Sequence, residues 1–203
     1  MIPQIRRQDL LANNIANAST TGFKKDMLFT RELSRVEARH RRTKEDWQTD
    51  LDTKIAVDFT PGVFDHTENP LDMAIDGDGF FVLQSPDGET LLTRSGAFEV
   101  DANGFLSAPG GFTVRGQGGP IQIGSGQVSV SRNGEVQVNG ETVDRIVPMT
   151  VADLTQLERR GGATFAVPNG TELIATPNSE VLQGYVERGN VDMVTEMVDM
   201  IVT

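Results

Sequence analysis

The first clear period in the chain runs from Ile5 to Ala18, where Leu11, Ile15 and Ala18 fall at i, i+4 and i+7 with Leu10 beside them. That spacing predicts one amphipathic helix. Gly22, which can take the left-handed conformation after a last turn, predicts its stop, with Phe23 folding back against the helix end. The stretch Thr30 to Asp50 holds only Leu33, Val36 and Trp47 as strong apolar residues. It is predicted to be either a solvated helix or an arm that orders on contact.

From Leu51 onward the pattern shifts to short alternating runs, among them GFFVLQ, TLLTR, AFEV, GFTVR, IQI, QVSVS and EVQV. Between them lie PDG (86–88), DANG (101–104), PGG (109–111), RNG (132–134) and VNG (138–140). Asp-Gly and Asn-Gly supply the positive φ of tight hairpins. The connections are too short for βαβ crossovers, so the strands must be antiparallel. Asp153–Leu157 predicts a single helical turn with an Asp153 N-cap, ended by Gly161-Gly162. Strands resume near Thr164–Val167 and Val181–Glu187. After Gly189, Asn190 is expected to cap a last helix with Asp192 in its first turn.

In that last helix Val191, Val194, Val198 and Ile201 recur at i, i+3, i+7 and i+10, and Met193, Met197 and Met200 widen the stripe. A helix so apolar needs a partner, and Leu11, Ile15 and Ala18 offer one in the same chain. The expected fold is therefore mainly β: an antiparallel β-rich central domain with short N- and C-terminal helices that pair. The expected divisions are an N-terminal helix and motif over 1–23, a polar connecting arm over 24–68, the β-rich domain over 69–188 and the C-terminal helix over 189–203.

Charge refines this picture. The chain carries a net charge of -11, a poor match for nucleic acid, which rewards clustered Lys and Arg. Through Trp47 there are ten basic residues against six acidic ones, and eight against 23 beyond it. A basic head on an acidic body favours head-to-body contact, within one molecule or between neighbours. No cysteine is present, so neither disulfides nor thiolate metal sites contribute. No apolar run reaches the roughly 20 residues needed to span a bilayer, and Met1–Arg6 lacks the apolar core of a signal peptide.

Candidate chemistry is sparse. Histidine occurs only at His40 and His66, neither with a second His or Cys at ligand spacing. A hydrolase would have to be built around His66 and Asp65, without a nucleophile motif such as G-x-S-x-G. Asp76-Gly77-Asp78-Gly79 suggests calcium, but Phe80 and Phe81 occupy the fifth and sixth positions of the loop and Asp87 the twelfth, so the EF-hand pattern fails. Gly116–Gly119 lacks the setting of a dinucleotide or phosphate loop and reads as a turn. No catalytic residue, metal site or cofactor is expected.

Three longer motifs do point somewhere. The first is Asp9-Leu10-Leu11-Ala12-Asn13-Asn14-Ile15-Ala16-Asn17 with Thr20-Thr21-Gly22-Phe23-Lys24. The second is Asn69–Ile75 running into Gly77–Phe81 and then Thr93–Phe98, and the third is Gly184-Tyr185-Val186-Glu187 with Asn190-Val191, Glu196–Val198 and Ile201. In this order they resemble the bacterial flagellar rod and hook family.

The resemblance implies a non-enzymatic axial subunit whose terminal helices pack with other copies of itself and with neighbouring rod proteins, the β domain lying outside. It implies a drive shaft carrying torque through the periplasm, and export through the flagellar type III apparatus without a cleaved signal peptide or membrane insertion. A proximal rod protein is the nearest match, ahead of a distal rod or hook subunit; a non-flagellar β-rich ligand-binding module is the alternative. Family members usually have more helix at both ends, so a core fragment is expected here.

On this reading the assembly seam is Leu11, Ile15, Ala18, Val191, Val194, Val198 and Ile201. The junction motif is Asn13, Asn14, Asn17, Thr21, Gly22 and Phe23, whose small polar groups can bond neighbouring backbones.

Overall fold

A computed structural model describes residues 2–32 and 51–202. In chain order the first elements are helix α1 (Ile2–Ala16) and strands β1 (Asp26–Glu32), β2 (Leu51–Val57), β3 (Phe64–His66), β4 (Met73–Asp76), β5 (Phe81–Gln84) and β6 (Thr90–Thr93). Next come β7 (Glu99–Val100), β8 (Leu106–Ala108), β9 (Phe112–Arg115), β10 (Val128–Val130), β11 (Glu135–Val138) and β12 (Glu141–Arg145). They are followed by β13 (Met149–Thr150), β14 (Glu158–Gly161), β15 (Thr164–Ala166), β16 (Ile174–Ala175), β17 (Glu180–Gln183), β18 (Tyr185–Glu187) and helix α2 (Met193–Val202). Every strand pairing is antiparallel, and α1 packs against α2.

The centre is a seven-stranded sheet in the order β14-β15-β6-β5-β9-β8-β7. Its middle strands are buried on both faces. Phe81, Leu83 and Leu91 join one apolar cluster with Met73, Val114 and Val136, while Phe80, Val82 and Leu92 join a second with Val151, Leu157 and Phe165. This explains why residues 80–83 read as a continuous apolar run. Phe165 is fully buried, with Phe59 at 5.2 Å and Phe80 at 6.2 Å between ring centroids. Phe165→Ala is expected to lower the unfolding free energy by about 3–5 kcal/mol in urea denaturation, whereas Ile174→Ala at an exposed site should stay within about 0.5 kcal/mol.

Turn chemistry sets the hairpins. Asn139 and Gly140 have φ of 53° and 87°, the double positive φ of a type I′ turn joining β11 to β12. The outer edge of β10 is closed by one side chain: the Gln183 amide accepts from the Val130 N–H at 3.0 Å and donates to the Val128 carbonyl at 3.1 Å.

Several expectations are corrected. The first helix ends at Ala16 rather than Ala18, because the Ala18 and Thr20 amides bond back three residues, to Ile15 and Asn17, in tight turns. Thr30–Glu32 belong to β1, which pairs with β2 from Asp26↔Val57 to Glu32↔Leu51; residues 33–50 of the predicted arm, with Trp47, lie outside the described residues. Gly161-Gly162 turn the β14–β15 hairpin instead of ending the Leu154–Gln156 helical turn, which stops at Leu157. IQI (121–123) is not a strand: beside an isolated Phe105↔Gln122 bridge, Ile121 accepts from the Leu106 N–H at 2.9 Å and donates to the Val114 carbonyl at 3.1 Å. The cap of α2 is Asp192, not Asn190: its carboxylate accepts from the Val194 and Thr195 N–H groups, which hold it below the ordinary carboxylate range.

Candidate functional site at the junction of the chain ends

Pairing of β18 with β3 and of β17 with β4 returns the end of the β region to its start. The C-terminal segment is thereby laid beside the Thr20–Lys24 motif. Gly22 adopts φ +66°, and a Cβ there would sit 2.1 Å from the Ser95 nitrogen. Only glycine fits such an approach. Its N–H donates to the Glu187 carbonyl at 2.7 Å, and the Thr21 and Ser95 hydroxyls meet at 2.8 Å.

Behind this contact Lys24 and Glu187 are both fully buried and paired. Glu187 Oε1 also accepts from the Gly62 N–H at 2.8 Å, and Oε2 from Arg94 at 3.4 Å. Lys24 Nζ donates further to the Thr60 carbonyl at 2.8 Å, and Arg94 to the carbonyls of Ile75 and Gly77 at 3.0 and 2.6 Å. Burial of charge is tolerable only with such pairing and satisfaction.

Burial pushes the Lys24 ammonium below its ordinary value of 10.5, outweighing the opposite pull of Glu187. The unfolded chain therefore binds this proton more firmly than the folded one. Below the folded pKa both states are protonated and the group contributes no slope, while between the folded and unfolded values stability rises with pH. Urea midpoints recorded from pH 7 to 10.5 should show that rise, and Lys24→Met should flatten it.

Two asparagines organise the rim. Asn14, buried on α1, accepts from the Asp26 N–H at 3.0 Å and donates to the Asp26 carbonyl at 2.9 Å, and also to Glu196 of α2 at 3.2 Å. Asn190 accepts from the Lys25 N–H at 2.7 Å and donates to the carbonyls of Asp58 and Thr60. Phe23 is buried beneath the Arg159 guanidinium, 4.7 Å from its ring centroid, and Arg159 bonds Asp26 at 2.8 Å. Asn17 bonds locally to the Asn13 carbonyl, and Asn13 lines an exposed cleft with Arg6, Leu10 and Ile55.

The seam residues divide. Leu11 is buried, while Ile15, Ala18 and Val191 are half-buried. Val194 is 72% exposed, Val198 53% and Ile201 84%. Within one copy, then, these three are left largely exposed. Helix α2 turns Glu196 toward α1 and leaves Met193, Val194, Met197, Val198 and Ile201 outward.

Elsewhere, Asp65 is engaged by Arg188, and the His66 ring lies 4.7 Å from that of Tyr185, tilted by 44°. Among the described residues no group of three or more His, Cys, Asp or Glu could hold a metal ion, and no helix is long and apolar enough to cross a membrane.

Sequence reasoning quoted Lys24, Arg94 and Glu187 inside its motifs without assigning them a role. Their one signal was membership of those motifs. Arg159 had no such signal.

Residues 1–24 match the family model for the flagella basal body rod protein, 74–138 the D1 domain of the flagellar hook protein FlgE/F/G, and 182–203 the C-terminal model of the flagellar basal body rod FlgEFG protein. The flagellar basal-body rod protein FlgF of Caulobacter vibrioides is 33% identical over 199 residues, covering 97% of this chain and 81% of the relative. The chain belongs to the flagellar basal-body rod protein family. Within that family it is also 30% identical over 211 residues to FlgF of Escherichia coli, covering 97% of this chain and 82% of the relative. It is 29% identical over 218 residues to FlgG of Buchnera aphidicola subsp. Acyrthosiphon pisum, with coverages of 96% and 84%. As a basal-body rod protein the chain has a structural role. Its first and last matched segments, 1–24 and 182–203, are the two that meet at the Lys24–Glu187 pair.

Proposed function

We propose that the chain is a structural subunit of the proximal part of the flagellar rod, built axially through its terminal helices and without catalytic activity. One observation carries this reading: α2 turns its Val194, Val198 and Ile201 stripe to solvent beside α1, although the β domain buries its aliphatic residues in two clusters. A stripe of that kind wants a second helix. Burying one such side chain is worth roughly 1.5–3 kcal/mol, and repetition along an axis multiplies a small gain per copy. Leu11, Ile15, Ala18 and Val191 complete the seam, with other copies and neighbouring rod proteins as partners.

The same reading places the subunit in the periplasmic part of the basal body after type III export. The match to FlgF relatives over nearly the whole chain supports the proximal assignment. A strain lacking the gene should accumulate basal bodies without distal rod or hook, and the gene in trans should restore them. Complete hook–basal bodies in the deletion strain would refute the proposal.

A further inference from the structure

We propose that Glu187 is a positioning residue that holds the two terminal helices in one orientation on the β domain, so that torque passes between them; the inference rests on the rod reading above and gives it a mechanical joint. One carboxylate ties segments distant in sequence. Oε1 takes Lys24 and the Gly62 N–H, Oε2 takes Arg94, and the backbone carbonyl takes the Gly22 N–H. Lys24 follows α1, Gly62 follows the β1–β2 ribbon, Arg94 leaves β6 in the central sheet, and Glu187 ends β18 just before α2.

The chemistry suits a joint. Apolar contact is non-directional and lets surfaces slide, whereas charge-assisted hydrogen bonds fix both distance and angle. The cluster is sealed from water, with Lys24 and Glu187 at 0% exposure and Arg94 at 4%, so solvent does not screen it. It holds two cations and one anion. Neutralising Glu187 leaves Lys24 and Arg94 buried without their counter-ion. Their relief is outward movement of the 20–25 segment, since the central sheet keeps its own two apolar clusters.

The chain has no cysteine, so cysteines introduced at exposed Gln8 on α1 and exposed Glu141 on β12 carry the only spin labels. Pulsed dipolar spectroscopy on the full chain should give a narrow distance distribution in the parent. Glu187→Gln should widen it at least twofold while cooperative melting of the β domain persists, a split that a merely stabilising residue would not produce. Adding Lys24→Met to Glu187→Gln restores the cluster to its original net charge and should narrow the distribution again.

An unchanged width in Glu187→Gln, or equal widths in the single and double variants, overturns the proposal. Should Glu187→Gln not fold, Glu187→Asp keeps the charge but shortens the reach by one methylene, and must show the same widening. Cells carrying the widening variant should lose speed in viscous medium more steeply than the parent; parent-like swimming there overturns the torque role. The label measurement is made on the isolated chain, so it stands or falls independently of the deletion test of rod membership.

Discussion

Replacing Gly22 by alanine should lower the unfolding free energy by about 2–5 kcal/mol, combining the ~1–2 kcal/mol of a left-handed L-residue with the ~1–3 kcal/mol of overpacking. The origin is specific. A Cβ at Gly22 meets the Ser95 nitrogen at 2.1 Å and the Arg94 carbonyl carbon at 2.3 Å, both of them backbone atoms that cannot rotate away. The alternative is for the 20–24 segment to lift off, which exposes Phe23 and unpairs Lys24 from Glu187. Gly88→Ala is the matched control: its φ is +85°, yet nothing lies within 4 Å of the added carbon, so only the conformational cost of roughly 1–2 kcal/mol applies. Urea denaturation of both variants decides the matter. Equal losses would show that backbone conformation, and not the close approach to Ser95, makes Gly22 necessary.

A second substitution should separate assembly from folding altogether. Val194→Asp changes a side chain that is 72% exposed in the first turn of α2, where a negative charge is favourable to the helix dipole. The isolated chain should keep its melting behaviour within about 0.5 kcal/mol. Incorporation into the rod should nevertheless fail, because the charge would have to be buried in a helix seam. Motility and electron microscopy of basal bodies provide the readout in cells carrying the full-length variant. Val100→Asp, on the exposed edge strand β7, should assemble and swim normally. Rods of ordinary length from the Val194→Asp gene would remove α2 from the assembly surface.

The sequence made local features readable where one residue type dictates a backbone shape. Asn139-Gly140 and Pro86-Asp87-Gly88 named their hairpins, and the i, i+4, i+7 spacing named α1, because turn geometry and helical period are properties of adjacent residues. Pairings between distant segments were another matter. Nothing in DMLFTRE marks Leu51–Val57 as its partner strand, since both runs are short and mixed in polarity. Asn190 has the chemistry of a helix cap, but it was drawn to Lys25, Asp58 and Thr60 and left the capping to Asp192. Nothing in the sequence marked Glu187 and Lys24 as a buried pair, because their burial depends on Arg94 and Gly62 arriving from elsewhere in the fold. The stripe on α2 was visible as a pattern, but which side met α1 depended on Asn14 and Glu196, two polar residues that an apolar count ignores.

The two side-chain amides that close strands, Asn14 on Asp26 and Gln183 on Val128 and Val130, bear on how such a molecule avoids growing in the wrong direction. An open strand margin recruits any extended chain, and recruitment of that kind is indifferent to register or partner. By filling main-chain donors and acceptors with their own amides, Asn14 withdraws the first residue of β1 and Gln183 the outer edge of β10 from sideways addition. On the proposed axial assembly, the subunit is thus given fewer directions in which to grow.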